Sequence, residues 1–209
     1  MIEEPQSRAR RKALAATRGV ARHLPAGLPP AFFLTDPVRT PDPAAIAAGL
    51  PEGWGVIYRH FGAEGREAGA RALRSICRRR GLVLLIGADP QLASAVGADG
   101  VHWPGRIAGE ARRWKDRFRL QTASAHSRSE LGQIGTLPVN AGLFSAIFPS
   151  GSTSAGPPVG ALRFRRIAMA SPMPLYGLGG VDPDNAGMIS GFAGLAAVEG
   201  WRCFEKAGA

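Results

Sequence analysis

Eight short apolar runs alternate with helix-forming stretches along most of this chain, and that alternation constrains the fold more than any other feature. The runs are AFFLTD (31–36), WGVIYRH (54–60), LVLLIG (82–87), GVHW (100–103), FRLQTASAH (118–126), VNAGLFSAIF (139–148), PLYGLG (174–179) and GLAAVEG (194–200). They are apolar nearly throughout, as strands covered on both faces must be. Helix candidates fall between them near 43–50, 64–80, 89–97, 108–116, 128–135, 160–170 and 183–190. Asp42-Pro43, Asp89-Pro90 and Asp182-Pro183 each put a capping carboxylate before a proline just inside a helix start.

Eight repeats of strand then helix predict a parallel sheet closed into a (β/α)8 TIM barrel. A doubly wound open sheet competes with it, but eight short strands in 209 residues favour the compact barrel with short loops. The expected organisation is a barrel domain at 29–209 preceded by a basic helical arm at 1–28. In that arm Ala13, Leu14, Ala16, Val20 and Leu24 form a weak apolar stripe before HLPAGLPP ends it.

The formal charge of +10 raises the question of nucleic acid. The arginines are scattered over several helices without aromatic interleaving, and Lys12, Lys115 and Lys206 are the only lysines. Solvated helix faces and a preference for arginine explain the charge better than a nucleic-acid partner. No apolar run approaches the ~18 residues of a membrane span. The basic N-terminus lacks the apolar core of an export signal. Cys77 and Cys203 have neither metal-ligand nor redox spacing, so a cytoplasmic protein is expected.

In a parallel barrel the C-terminal strand ends carry the chemistry. PLYGLGGVDPDN ends the seventh run with Gly179 and Gly180 before the Asp182-Pro183 helix start. Glycines let an anion approach free backbone N–H groups closely, so these two are the phosphate candidates, although a plain tight turn has the same sequence. IFPSGSTSAGPPVG after the sixth run supplies Ser150 and Ser152 in a hydroxyl-rich loop with no cation before Arg163. His126 closes the fifth run with Ser124 two residues earlier on the same face, which makes it a candidate proton shuttle. His102, at the end of the fourth run, is read as lining the substrate site or packed beneath it. Arg59 is placed to clamp an anion, His60 reads as exposed, and His23 has no assigned role.

Together FFLTD, VIYR, LLIGADPQLASAVGADGVHW, TASAHS, AIFPSGS and YGLGGVDPDN resemble the thiamine phosphate synthase/TenI family, in family order from about Phe32 to Gly200. The resemblance implies the same barrel. Synthases of the family join a pyrimidine methyl pyrophosphate to a thiazole phosphate with Mg²⁺ and release pyrophosphate. This chain departs from the synthase pattern where that pyrophosphate and metal are held. Gln-x-Arg-Glu-Lys becomes Ile57, Tyr58, Arg59, His60 and Phe61, and the Asn-Asp pair becomes Gly87-Ala88, with Asp89 read as a helix cap. The His-x-Gly-Gln segment and the acidic ligand after it become His102, Trp103, Pro104, Gly105 and Arg106, and Thr153 stands in place of a lysine.

The thiazole-phosphate half of the pattern is better kept, at Ser124, His126, Ser150, Gly179 and Gly180. TenI-like members use that half alone as thiazole tautomerases, with a histidine at the position of His126 moving the proton. Glu199 stands where the family has a serine beside the phosphate. The expectation is a TenI-like protein that binds a small phosphorylated thiazole, with no cofactor and no metal site. Two alternatives stay open: a synthase with an altered Mg²⁺ site, and a catalytically silent member that binds a phosphorylated ligand or a protein partner. A homodimer is an open oligomeric option.

Overall fold

In the computed structural model, which describes residues 4–152 and 156–206, eight parallel strands close into one barrel. They are β1 (Ala31–Leu34), β2 (Gly55–Tyr58), β3 (Val83–Gly87), β4 (Gly100–Trp103), β5 (Leu120–Ala125), β6 (Ala141–Phe144), β7 (Leu175–Gly177) and β8 (Gly194–Ala197). β1 pairs with β8, with Phe32 opposite Ala196, and this closes the sheet. Every strand lies within one of the eight apolar runs, so the closed form prevails over the open sheet.

Among the described residues six α-helices accompany the strands: α1 (Pro5–Val20), α2 (Pro43–Gly49), α3 (Arg66–Arg80), α4 (Pro90–Val96), α5 (Arg128–Ile134) and α6 (Ala161–Met169). Asp42 accepts the N–H of Ala45 at the start of α2, and Asp89 accepts that of Leu92 at the start of α4. Both are side-chain caps ahead of a proline. Two expected helices are instead 3₁₀ segments, at Gly105–Trp114 and Ala186–Met188. In the first, Gly105 and Gly109 weaken the α form. In the second, the Asp182 carboxylate accepts the N–H groups of Asp184 (2.8 Å) and Asn185 (3.0 Å), so a side-chain turn replaces the first helical turn. Asp182-Pro183 therefore starts no α-helix, contrary to the sequence reading.

The apolar stripe of α1 is packed down: Ala13, Ala16, Thr17 and Val20 are buried. Lys12 pairs with Asp184 at 2.5 Å, and the Arg10 guanidinium donates to the carbonyl of Cys203, so α1 packs against the segments that follow β7 and β8.

Alternation along each strand splits the apolar residues into two cores. Phe33, Val56, Tyr58, Leu84, Ile86 and Trp103 face the helical shell. Phe32, Leu34, Ile57, Leu85, Leu143 and Tyr176 fill the barrel interior. Phe32 and Tyr176 meet edge to face there at 4.8 Å between centroids. Gly55 and Gly194 give them room: a Cβ on Gly55 would lie 2.2 Å from the Phe32 ring, and one on Gly194 would lie 2.3 Å from the Tyr176 ring. The Tyr176 hydroxyl, buried with its ring, donates to the carbonyl of Pro29 at 2.6 Å.

Gly194→Ala is therefore an overpacking substitution whose clash with the Tyr176 ring outweighs the modest backbone-entropy gain of replacing a glycine. It is expected to lower stability by about 1–3 kcal/mol. Thermal unfolding checks this, as a fall of several degrees in Tm against the parent protein.

Candidate functional site

Continuing the inward alternation past the apolar interior leads to the polar residues of the barrel mouth. Beyond Leu34 comes Asp36, beyond Ile57 comes Arg59, beyond Leu143 comes Ser145, and beyond Leu120 come Thr122, Ser124 and His126. Above this level lies a cavity of about 820 Å³. The eight residues singled out in the sequence all line it: Arg59, His102, Ser124, His126, Ser150, Ser152, Gly179 and Gly180. Thr153 and Ser154 of the same serine-rich loop lie outside the described residues.

His102 forms the floor. Its Nδ1 is 2.9 Å from the hydroxyl of buried Thr122, and its Nε2 is 2.8 Å from the hydroxyl of Ser124. A neutral imidazole donates from one nitrogen and accepts at the other, so both hydroxyls are engaged by one ring. Burial, reinforced by the charge of Arg59, pushes the imidazole down to about 3 from its usual 6.5. His102 is thus a neutral, saturated side chain that holds Ser124 in place.

His126 is built differently. The sequence Ser127-Arg128-Ser129-Glu130 is a capping box at the start of α5. Ser127 accepts the N–H of Glu130 at 3.1 Å, and Glu130 reaches back to accept the N–H of His126 at 2.8 Å. The His126 backbone is fixed by this exchange while its ring stays exposed. Its Nδ1 is 3.3 Å from the Ser145 carbonyl and 3.1 Å from the Ser145 hydroxyl. Donation from Nδ1–H to that carbonyl leaves Nε2 as the lone-pair nitrogen.

The two phosphate candidates lie in a loop that only glycine fits. Gly179 and Gly180 have φ of +88° and +65°. A Cβ on Gly180 would lie 2.2 Å from the Pro149 carbonyl oxygen, and one on Gly179 would lie 2.8 Å from Cβ of Ala146. Phe148 N–H donates to Gly179 O, and the Asn185 amide donates to Gly180 O, which clamps the loop from both sides. Neither glycine N–H is spent on another described residue. Ser150 stands on the facing loop and accepts the N–H of Ser152 at 3.3 Å. These unspent N–H groups belong to a turn and gain nothing from a helix dipole, since no α-helix follows.

Arg59, on the opposite wall, donates from Nε to the Thr35 carbonyl at 3.0 Å, and its Nη2 lies 3.6 Å from Asp36. Burial would raise the Asp36 carboxyl. Hydrogen bonds from the Arg39 side chain and from the N–H groups of Arg39 and Val38 outweigh it and hold the carboxyl at about 2. His60 turns away from the cavity and stacks on Tyr58 at 4.8 Å with Nε2 buried, so it is not the exposed side chain the sequence suggested. Sequence reasoning also passed over Asp36, Arg39, Glu130 and Ser145. Counting by twos from Leu34 and Leu143 finds Asp36 and Ser145, and the capping box finds Glu130.

A Mg²⁺ site at the ends of β3 and β4 would need oxygen donors with free lone pairs. Asp89 spends one oxygen on the Leu92 N–H and the other on Arg66, at 2.5 Å. Ala88 offers no side-chain donor, its φ is +57°, and Trp103 points into the shell. Arg106 lines the cavity from the β4 end and pairs with no acid among the described residues. No three His, Cys, Asp or Glu side chains converge among the described residues. The described residues at these two strand ends do not form the oxygen-rich shell that Mg²⁺ requires.

The fold is that of a (β/α)8 barrel protein with a polar cavity at its mouth. A family model described as thiamine monophosphate synthase (TMP-TENI) matches residues 34–200, and the chain belongs to this family. It is 33% identical over 134 residues to a thiamine-phosphate synthase of Laribacter hongkongensis, covering 62% of this chain and 63% of that one. It is 32% identical over 169 residues to one of Alcanivorax borkumensis, covering 74% and 76%. The chain thus spans less than two thirds of the Laribacter relative's length, and likewise 59% of a Methylococcus capsulatus relative. A solved thiamine phosphate pyrophosphorylase of Pyrococcus furiosus superposes with a TM-score of 0.70 at 19% identity, over 85% of this chain and 92% of that one. That likeness is one of fold.

The His102 floor carries a pH signature. Between 6.5 and about 3 the unfolded chain holds a proton on this imidazole that the folded chain excludes. Stability contributed by neutral His102 is complete above 6.5 and is lost as the pH falls, by at most about 1.4 kcal/mol per pH unit. Chemical denaturation at a series of pH values is expected to show this slope for the parent protein and a flatter one for His102→Asn. Asp36 acts only lower, below its ordinary 3.8.

Proposed function

We propose that this chain binds a phosphorylated thiazole in the barrel-mouth cavity and acts on it as an enzyme of thiamine phosphate chemistry. The phosphate sits on the N–H groups of Gly179 and Gly180 with the Ser150 hydroxyl, and Ser152 lines the same wall. The supporting observation is the convergence of these groups with His126 and Ser124 on one cavity, the glycine N–H groups being unspent. His126 Nε2 is the proton-moving atom. It takes a proton from one ring position and returns it to another, which tautomerises the thiazole without a redox step. Ser124, held by His102, offers a hydroxyl to the ring, and Arg59 lies across the cavity as a fixed cation.

A second reading has the better support from known relatives: those described above are named thiamine-phosphate synthases. On that reading the protein is a transferase that joins a pyrimidine pyrophosphate to the thiazole phosphate. The guanidiniums of Arg59 and Arg106 are then the groups that meet the departing pyrophosphate.

One assay separates the readings. The purified protein is incubated with the thiazole phosphate alone, then with the pyrimidine pyrophosphate added, each with Mg²⁺ or with EDTA. Tautomerisation of the thiazole alone is the expected result. His126→Ala is expected to slow it by roughly 10²–10⁴-fold while phosphate affinity stays near the parent value. Pyrophosphate release that requires both precursors would put the transferase reading first. Failure of the thiazole phosphate to bind would overturn both.

A further inference from the structure

Glu199 follows β8 and lines the same cavity, where a carboxylate opposes a phosphate. It belongs to the wall that carries the glycine loop. Its neighbour Gly200 packs so closely on that loop that a Cβ there would lie 2.2 Å from the Val181 carbonyl oxygen and 3.0 Å from Cα of Asp182. The Glu199 side chain is about half exposed, and its Oε2 lies 3.7 Å from Nη1 of Arg39. Arg39 is held far more firmly on its other side. Its Nη2 donates to Asp36 Oδ2 at 2.8 Å, and its backbone N–H donates to Asp36 Oδ1 at 3.0 Å. The same Asp36 oxygen faces Arg59 at 3.6 Å.

These four side chains form a row across the mouth: Glu199, Arg39, Asp36, Arg59. Two guanidiniums balance two carboxylates, so the row offers an incoming anion no net positive charge. The Glu199 contact is its weakest link. It is longer than a direct hydrogen bond, and it is the most exposed of the three contacts.

The geometry points to Glu199 as the charge-selectivity residue of the cavity, occupying Arg39 in the empty site and exchanging places with the ligand's phosphate. This rests on the proposed phosphate position at Gly179–Gly180 and adds to it a ligand class: a monophosphate in preference to a diphosphate. A single phosphate replaces one carboxylate on Arg39 and leaves the row close to neutral. On the β8–β1 side of the cavity a diphosphate brings more negative charge than Arg39 and Arg59 offer once Asp36 has taken its share, and it meets the displaced Glu199 as well. Arg106 lines the β4 side, across the barrel from this row.

Titration calorimetry with inorganic phosphate and with pyrophosphate, without divalent metal, tests this on the full chain. The variants are Glu199→Gln, Arg39→Gln and the pair combined. Glu199→Gln is expected to bind phosphate about tenfold tighter, a change of about 1.4 kcal/mol, and to gain still more for pyrophosphate. In the Arg39→Gln background most of that gain should vanish, because the freed guanidinium is no longer there. No gain in Glu199→Gln for either anion overturns the proposal. A gain of equal size with and without Arg39 also overturns it, since Glu199 would then act by general repulsion. Gly180→Ala tests the phosphate position separately. If that variant keeps parent phosphate affinity while Glu199→Gln still gains, the anion sits on Arg39 away from the glycine loop. That result would sink the proposed function and leave the role of Glu199 standing.

Discussion

Inside the barrel Phe32 and Tyr176 meet edge to face, in space left by Gly55 and Gly194. This contact fixes much of what lies above it. Two large rings plug the interior of a small barrel, so the inward positions one step further along the strands are raised into the mouth. The strand period of two then decides which residues arrive there. Ile57 belongs to the plug, so Arg59 belongs to the site. Leu143 belongs to the plug, so Ser145 belongs to the site. The same count sends Tyr58 and Trp103 outward into the helical shell, away from any ligand.

Directly above the plug, His102 turns an apolar floor into a polar one at low electrostatic cost. Its ring is buried and stays neutral, and it meets the hydroxyls of Thr122 and Ser124 with its two nitrogens. A charged imidazole would need a carboxylate partner here, and the nearby charge is the guanidinium of Arg59. The arrangement separates the two histidines by role. His102 is saturated and depressed, and so is fit to position a hydroxyl. His126 is exposed, is fixed through its backbone by a capping box, and keeps Nε2 outside its contacts with Ser145. Similar strand-end histidines in the sequence thus acquire opposite properties from one difference in depth.

The fold was legible because its signal is repeated: runs apolar on both faces require a covered parallel sheet, and eight of them in 209 residues favour the closed form. The proline-preceded caps at Asp42 and Asp89 were equally local and fall where the sequence puts them. Asp182-Pro183 carries the same letters and starts no helix, because Asp182 and Asn185 bond the backbone into a turn first. That competition depends on the geometry of the glycine loop before it, which a local pattern does not contain. Eight residues that line the cavity are legible in the sequence from their position at or just after strand ends, a topological cue. Arg39 and Glu199 were not found as a pair, since they lie 160 residues apart and meet only because β8 closes on β1.

The ends of β3 and β4 show how membership in a family and the chemistry of a site separate. A metal site needs carboxylates with free oxygens, and here the one candidate has none: Asp89 caps α4 with one oxygen and holds Arg66 with the other. Arg66 in turn bonds the Gly87 carbonyl and lies 5.6 Å from the centre of the Phe61 ring, which covers the approach to Gly87. Freeing Asp89 for a cation would uncap a helix, leave a half-buried guanidinium without its acid and disturb the aromatic ring above it. The cost is distributed over three interactions, so no single substitution restores the donor set. The walls at β7 and β8 carry no such commitment: the glycine N–H groups are unspent and Glu199 holds Arg39 only loosely. The unspent backbone donors of this barrel therefore lie on the β7 side, across the mouth from the committed Asp89.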